Sequence, residues 1–161
     1  MLAILALGGN LGDPREQISE AIESLDAHAQ IQVTETSPLV ESFALTEAGI
    51  DESAPRYLNG VVEVETSLTP DALLQVIHEI EAEAGRTRDV RWGPRTLDID
   101  IIVFGDVHQK SPELTIPHPR AHERAFVLTP WAQMRPDAVI PGRGKVAELA
   151  ESFPGEVWEA K

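Results

Sequence analysis

Cysteine is absent from this sequence of 161 residues, and so is any long apolar run. Without cysteine, the chain has neither a disulfide framework nor a thiolate metal site. A membrane-spanning helix needs about 18 consecutive apolar residues, and no stretch approaches that length. The apolar run over residues 1–7 is also too short for a secretion signal and follows no basic residue. We therefore expect a cytoplasmic protein that makes no membrane contact.

Positive charge is scarce as well. The chain has 13 Lys and Arg against 27 Asp and Glu, a net charge of −14. Surfaces that bind nucleic acid are normally basic, so the composition argues against a nucleic-acid partner. Residues 86–124 are the exception, with seven basic and six acidic side chains. A local basic cluster in an acidic protein favours a small anionic ligand such as a nucleoside triphosphate, although a salt-bridged surface would have the same composition.

Length and patterning indicate one α+β domain spanning residues 1–161. The apolar fraction of 42% and the charged fraction of 25% are ordinary for such a domain. Alternation and apolar runs predict the strands 2–7, 31–36, 57–65 and 97–104, of which 2–7 and 97–104 should be central in the sheet. Asp13 and Thr69 are each followed by Pro, which predicts two capped helices. The order β-α-β-β-α-β is typical of a ferredoxin-like sandwich with helices packed on a mostly antiparallel sheet.

The remaining segments are predicted less regularly. Residues 8–12 are glycine-rich and predict a tight turn, and residues 46–56 predict a mobile loop that could act as a lid. Residues 121–128 are expected to form a short turn or helix, and residues 130–134 and 145–152 are expected to form separate short helices. Residues 153–161 carry little signal.

The most informative stretch is R-W-G-P-R-T-L-D-I-D-I-I-V-F, residues 91–104. Successive side chains of a strand alternate faces, so Asp98 and Asp100 should point the same way, with Cα atoms about 7 Å apart. The apolar residues of the other face should be Leu97, Ile99, Ile101 and Val103. Paired carboxylates repel unless a partner relieves them, and Mg²⁺ is commonly held by one or two carboxylates plus substrate phosphates. Arginines just upstream would bind those phosphates.

A bare D-x-D on a strand is more often solvent-facing and paired with nearby arginine. The preceding R-W-G-P-R reverses that preference and favours phosphoryl-transfer chemistry. Two other functions fit the same pattern. One is a metal-dependent hydrolase or nucleotidyltransferase, and the other is a non-enzymatic nucleotide-binding module of ferredoxin-like form.

With these residues the sequence closely resembles the 6-hydroxymethyl-7,8-dihydropterin pyrophosphokinase family of folate biosynthesis. Further matching motifs follow in family order: G-G-N-L-G-D-P, Y-L-N-G, E-x-x-x-G-R-x-R, L-T-I-P-H-P and R-A-F. The resemblance implies that the protein transfers pyrophosphate from ATP to the hydroxymethyl group of the pterin and releases AMP. It also implies two Mg²⁺ ions, small-molecule substrates and a monomer.

The resemblance carries a set of site residues with it. The implied metal ligands are Asp98 and Asp100. The implied catalytic residues are Arg86, Trp92, Arg95, Asp98 and Asp100. The implied ATP contacts are His78, Glu81, Arg88, Trp92, Arg95, Ile101, Thr115, His118 and Arg124. The implied pterin contacts are Ser42, Ala44, Leu45, Tyr57, Asn59, Trp92, Asp98 and Phe126.

Two departures from the family pattern bear on affinity. Ser42-Phe43-Ala44-Leu45 stands where the family commonly carries Thr-Pro, and His78 stands where Gln often contacts the nucleotide. Neither touches the two aspartates, so we expect activity with altered affinities.

Overall fold

The computed structural model describes residues 1–10, 12–46, 49–51, 53, 56–85 and 97–160. The strands are β1 (Leu2–Gly9), β2 (Ile31–Thr36), β3 (Val40–Ser42), β4 (Ala44–Thr46), β5 (Gly49–Asp51), β6 (Tyr57–Thr66), β7 (Asp98–Phe104), β8 (Gln109–Lys110), β9 (Thr115–Ile116), β10 (Val139–Ile140), β11 (Gly144–Lys145) and β12 (Trp158–Glu159). The helices are α1 (Pro14–Ala27), α2 (Pro70–Gly85), α3 (Ala125–Met134) and α4 (Val146–Ala150), and a 3₁₀ turn covers Ala121–Glu123.

Six strands form the main sheet in the order β12-β3-β6-β1-β7, with β2 also pairing with β6. Every pairing in it is antiparallel. Strands β2 and β3 follow each other along the same edge of β6, so the core order is the predicted β-α-β-β-α-β. The α+β, ferredoxin-like prediction is confirmed by this topology.

Two apolar layers sandwich the sheet. One layer joins α1 and α2 to alternate residues of the strands, including Leu5 and Leu7 of β1. The other joins α3 and α4 to the intervening residues, including Ile4 and Ala6. Alternate side chains of β1 thus pack in the two layers. This explains why the strand is apolar throughout and lies inside the sheet.

Local signals set the start of both large helices as predicted. The Asp13 carboxylate accepts a hydrogen bond from the Glu16 backbone N–H at 3.1 Å. The Thr69 hydroxyl accepts one from the Ala72 N–H at 3.2 Å. These bonds satisfy N–H groups that have no partner within the helix. None of the helices within the described ranges combines the length and apolar character that crossing a bilayer requires.

The prediction for β7 is right in extent but wrong in two details. The strand lies at the end of the sheet order and was expected at its centre. Its pairing with β1 also shifts, so that Leu5 lies opposite Ile101 whereas Ile4 lies opposite Val103. This bulge places Ile102 and Val103 together in the α3 layer, so Val103 does not share a face with Ile101.

Other segments are more ordered than the sequence predicted. Gly8 and Gly9 belong to β1, and the loop after Ser42 contains the β4–β5 hairpin. Helix α3 runs through Pro130 as one helix, because burial of its apolar side chains outweighs the lost hydrogen bond. The main sheet also includes a sixth strand, β12, from the segment 153–161, whose sequence carries little signal.

Candidate active site

One row of residues crosses the sheet on the face that α3 covers. Gly8 of β1 lies opposite Asn59 of β6 on one side and Asp98 of β7 on the other. Residues directly opposite each other in an antiparallel sheet project to the same face. Three separate motifs of the sequence therefore meet in one row, with glycine between an amide and a carboxylate.

The missing side chain of Gly8 provides the space that Asn59 uses. A Cβ at Gly8 would lie 2.1 Å from Asn59 Nδ2 and 3.0 Å from its Cγ. Any other residue would therefore displace the amide. Our sequence analysis predicted a tight turn at this glycine. A glycine inside a strand is, however, itself a signal that another group approaches the backbone closely.

A second row lies one step along the same face. Ala6 is paired with Val61 on one side and with Asp100 on the other. Asp100 Oδ2 is 3.8 Å from Nη1 of Arg124, the residue that precedes α3. That distance is an ion pair but too long for a hydrogen bond. The two aspartates share a face as predicted, and Arg124 brings positive charge to it.

His118 lies beside β7 and is hydrogen-bonded to its backbone. Its backbone N–H donates to the Ile102 carbonyl at 2.8 Å. Its Nδ1 accepts from the Arg120 N–H at 3.1 Å, so the neutral ring carries its proton on Nε2. Burial lowers the pKa of His118, and Arg124 and Arg120 lower it further against the opposing effect of Asp100. His118 is thus held as a neutral hydrogen-bond donor.

Glu81 connects α2 to the strand that carries the aspartates. Its Oε2 accepts a hydrogen bond of 3.0 Å from the Ile99 backbone N–H. Ile99 lies between Asp98 and Asp100, so Glu81 fixes the backbone from which both carboxylates project. This contact gives Glu81 a structural task that the resemblance did not imply.

The aromatic residues implied for the pterin lie on the same face. Tyr57 pairs with Ser42 across β6 and β3, two residues from Asn59, and its side chain is 38% exposed. Phe126, on the first turn of α3, is partly buried against the second layer. The Arg124 guanidinium lies 5.6 Å from the centre of the Phe126 ring. Tyr57 thus lies on the Asn59 side of the row, and Phe126 is connected through Arg124 to Asp100.

Other implied residues are placed elsewhere or not described. Ile101 is 3% exposed and packs in the α1–α2 layer, away from the face of the aspartates. His78 is exposed on α2, one turn before Glu81, and Thr115 is half-buried on β9. Ala44 and Leu45 belong to β4. Four implied residues lie outside the described part of the chain: Arg86, Arg88, Trp92 and Arg95.

The chemistry of the donors fits magnesium better than a metal that needs an all-protein cage. Asp98 and Asp100 provide two hard carboxylates on one face, one exposed and one half-buried. Within the described ranges, no cluster of three or more His, Asp or Glu side chains could hold a metal. Magnesium keeps several waters and shares its coordination with phosphates, so two carboxylates suffice for it.

The sequence matches one protein family over most of its length. The model of the family described as 7,8-dihydro-6-hydroxymethylpterin-pyrophosphokinase (HPPK) matches residues 4–136. The 2-amino-4-hydroxy-6-hydroxymethyldihydropteridine pyrophosphokinase of Pseudomonas aeruginosa is 42% identical over 94% of this chain and 91% of its own length. The enzyme of the same name from Bacillus subtilis is 43% identical over 83% of this chain and 77% of its own.

A solved structure gives the same fold. Plasmodium falciparum HPPK-DHPS in complex with pteroate aligns with a TM-score of 0.71 at 17% identity. The alignment covers 94% of this chain but 42% of that one, so the chain spans less than half of the longer protein.

Proposed function

This chain belongs to the 7,8-dihydro-6-hydroxymethylpterin-pyrophosphokinase family, and we propose that ATP is its pyrophosphoryl donor, with AMP as the second product. Members of this family are diphosphotransferases that act on hydroxymethyldihydropterin in folate biosynthesis. One observation supports the assignment most strongly. The Asn59–Gly8–Asp98 row places an amide and a carboxylate on either side of one glycine and on the same face, and Asp100 with Arg124 lies beside the carboxylate.

The amide of Asn59 is the group we assign to pterin recognition. An amide presents a donor and an acceptor side by side, which complements the edge of a pterin ring. Tyr57 and Phe126 would contact the faces of that ring, since flat aromatic systems favour offset stacking. The hydroxymethyl group would then lie toward Asp98.

Arg124 and His118 are the groups we assign to the triphosphate. A guanidinium fork matches phosphate oxygens, and its 3.8 Å ion pair with Asp100 leaves donors for a ligand. Neutral His118 would donate its Nε2 proton without adding charge. Arg86, Arg88, Trp92 and Arg95 keep the ATP and catalytic roles implied by the resemblance, as predictions.

Asp98 and Asp100 would hold magnesium in this proposal. Two ions there would neutralise the triphosphate and align the hydroxyl, the β-phosphorus and the leaving AMP. Glu81 would keep both carboxylates in register through Ile99. A single domain over residues 1–161, a monomeric state and a cytoplasmic location also stay predictions.

Product analysis tests the proposal directly. The protein is mixed with ATP, Mg²⁺ and 6-hydroxymethyl-7,8-dihydropterin, and a control omits the pterin. We expect AMP only when the pterin is present. ADP, or nucleotide breakdown without pterin, would favour the hydrolase, whereas ATP binding without turnover would favour the non-enzymatic module.

A further inference from the structure

Four residues from three parts of the chain meet at β3 and β6, on the face of the sheet opposite Tyr57 and Asn59, and we call them the Arg56 cluster: Glu41, Phe43, Arg56 and Trp158. The Arg56 guanidinium lies 5.3 Å from the ring centre of Phe43 and 5.3 Å from that of Trp158. The two rings lie 4.8 Å apart at an interplanar angle of 60°. The cation therefore contacts both aromatic groups at once.

One carboxylate oxygen joins the polar ends of this cluster. Glu41 Oε2 accepts a hydrogen bond of 2.9 Å from Trp158 Nε1. The same oxygen accepts a longer bond of 3.5 Å from Arg56 Nη1. Both donors depend on one acceptor, so the indole, the guanidinium and the carboxylate hold each other in place.

The cluster lies at the base of the loop that follows β3. Phe43 directly follows Ser42, and Arg56 directly precedes Tyr57, so the cluster closes the loop at both of its ends. Ser42 and Tyr57 form the last pair of β3 with β6. A three-residue strand has few pairs to hold this end, and the Arg56 cluster supplies contacts beyond them.

The cluster acts from the opposite face of the sheet. Glu41 pairs with Leu58, which packs in the α1–α2 layer, and with Trp158 of β12. Ser42, Tyr57 and Asn59 alternate with these residues and face α3 instead. Trp158 therefore contacts β3 on the face of the sheet opposite the one from which Tyr57 and Asn59 project.

We propose that Trp158 and Arg56 are positioning residues for the pterin half of the site. They hold the ends of the loop, and with them Ser42 and Tyr57, in the register that presents Tyr57 beside Asn59. The inference rests on the proposed function and extends it to a strand near the end of the sequence. Trp158 touches no substrate in this view and acts through Arg56 and Glu41.

Steady-state kinetics of Trp158→Ala tests the proposal. We expect KM for 6-hydroxymethyl-7,8-dihydropterin to rise about tenfold, equivalent to ~1.4 kcal/mol, while KM for ATP changes less than twofold. The two KM values should respond differently because the groups assigned to ATP lie at β7, and β6 and β1 lie between β7 and the cluster. Trp158→Phe keeps a ring over Arg56 but loses the indole N–H, and should show a smaller rise.

Phe153→Ala is the matched control. Phe153 is an aromatic residue five positions before Trp158 that packs in the α3–α4 layer and lies outside the cluster. Its removal should lower the thermal unfolding midpoint and leave both KM values unchanged. Equal rises in KM for both substrates, or the same pterin effect in Phe153→Ala, would reduce Trp158 to a general structural role and overturn the proposal.

Binding of the oxidised analogue 6-hydroxymethylpterin, measured by calorimetry, separates the two levels of inference. An inactive wild-type protein that binds no pterin contradicts the proposed function. An active wild-type protein whose Trp158→Ala and Arg56→Met variants keep wild-type pterin affinity contradicts the positioning role alone. If Trp158→Ala does not fold, Trp158→Phe and Arg56→Met still decide between these outcomes.

Discussion

Helix α3 has an arginine next to each end, and each arginine faces carboxylates on the sheet below. At the end after the helix, Arg135 donates to Glu63 twice, at 2.8 and 3.1 Å, and Thr34 adds a third bond to the same carboxylate at 2.8 Å. At the end before the helix, Arg124 and Asp100 approach only to 3.8 Å. The Arg135–Glu63 pair is hydrogen-bonded, whereas the Arg124–Asp100 pair is too far apart for a hydrogen bond, so both of its groups can bind a ligand.

The difference shows how the same residue types take structural or functional roles. Glu63 is 8% exposed and would be costly to bury without its three hydrogen bonds. The Asp100 side chain is 44% exposed and needs no such closure. A fully satisfied pair holds the sheet and α3 together, whereas a loosely paired one can bind a ligand. Substitutions at both ends of α3 test this contrast.

The largest effect is expected from Asp98→Asn and Asp100→Asn, made singly. Loss of one electrostatic group costs about 10²–10³-fold in turnover at other active sites, and we expect a comparable loss here. Stability should not fall, because neutralising one carboxylate relieves repulsion by the other. AMP formation and the thermal unfolding midpoint measure the two quantities. Near wild-type turnover in both variants would remove the metal assignment.

Gly8→Ala should give the next largest effect. The new Cβ would displace the Asn59 amide, and an unpaired polar group costs about 1–3 kcal/mol, so KM for the pterin should rise roughly tenfold to a hundredfold. Gly60→Ala is the matched control, since its Cβ would come close to a flexible methyl group of Leu39 at 2.6 Å and otherwise meet Ser37 Oγ at an ordinary 3.6 Å. Equal KM values in the two variants would show that Asn59 does not read the pterin.

Arg124→Lys should have a moderate effect, since lysine keeps the charge but loses the planar fork. One lost hydrogen bond costs about 1 kcal/mol, so kcat/KM for ATP should fall about fivefold while KM for the pterin stays constant. Substrate titrations at fixed concentration of the other substrate measure both. An unchanged kcat/KM for ATP would place Arg124 outside the phosphate site.

Glu63→Gln should leave catalysis unchanged and alter only stability and its pH dependence. Hydrogen bonding to Arg135 lowers the pKa of Glu63 below its ordinary value of 4.5, against the effect of burial. A lowered folded-state pKa means that Glu63 stabilises the protein above pH 4.5 and loses this contribution as the pH falls through the folded value.

Urea unfolding at pH 7 and at successive values below pH 4.5 measures this contribution. The variant should be less stable at pH 7 and should lose less stability than wild type on acidification. Parallel stability curves for the two proteins would contradict the assignment, as would any change in turnover at pH 7.

Local signals accounted for the parts of the fold that local chemistry controls. Asp13 and Thr69 could be recognised as caps because the cap and its partner are three residues apart. The D-x-D strand was recognised because alternation is local too. The bulge at Ile102 could not be predicted, since it arises from the pairing of β7 with β1.

The structural features that escaped prediction depend on distant partners. Gly8 is required by Asn59, and Trp158 is held by Glu41; neither relationship leaves a pattern within one segment. A single tryptophan in a polar segment could have drawn attention, because a side chain of that size usually finds a buried or aromatic contact. Which residues would contact the pterin and which would contact ATP was implied by the resemblance and not by spacing.

The position of β1 also has a consequence for synthesis. This strand emerges first, yet its partners are residues 58–65 and 98–104. The sheet therefore cannot close around its central strand until Phe104 has left the ribosome. Long-range pairing of this kind slows folding and leaves apolar strands exposed in the meantime. Asp98 and Asp100 belong to the last strand to join that core, so the two proposed metal ligands arrive only as the central sheet is completed.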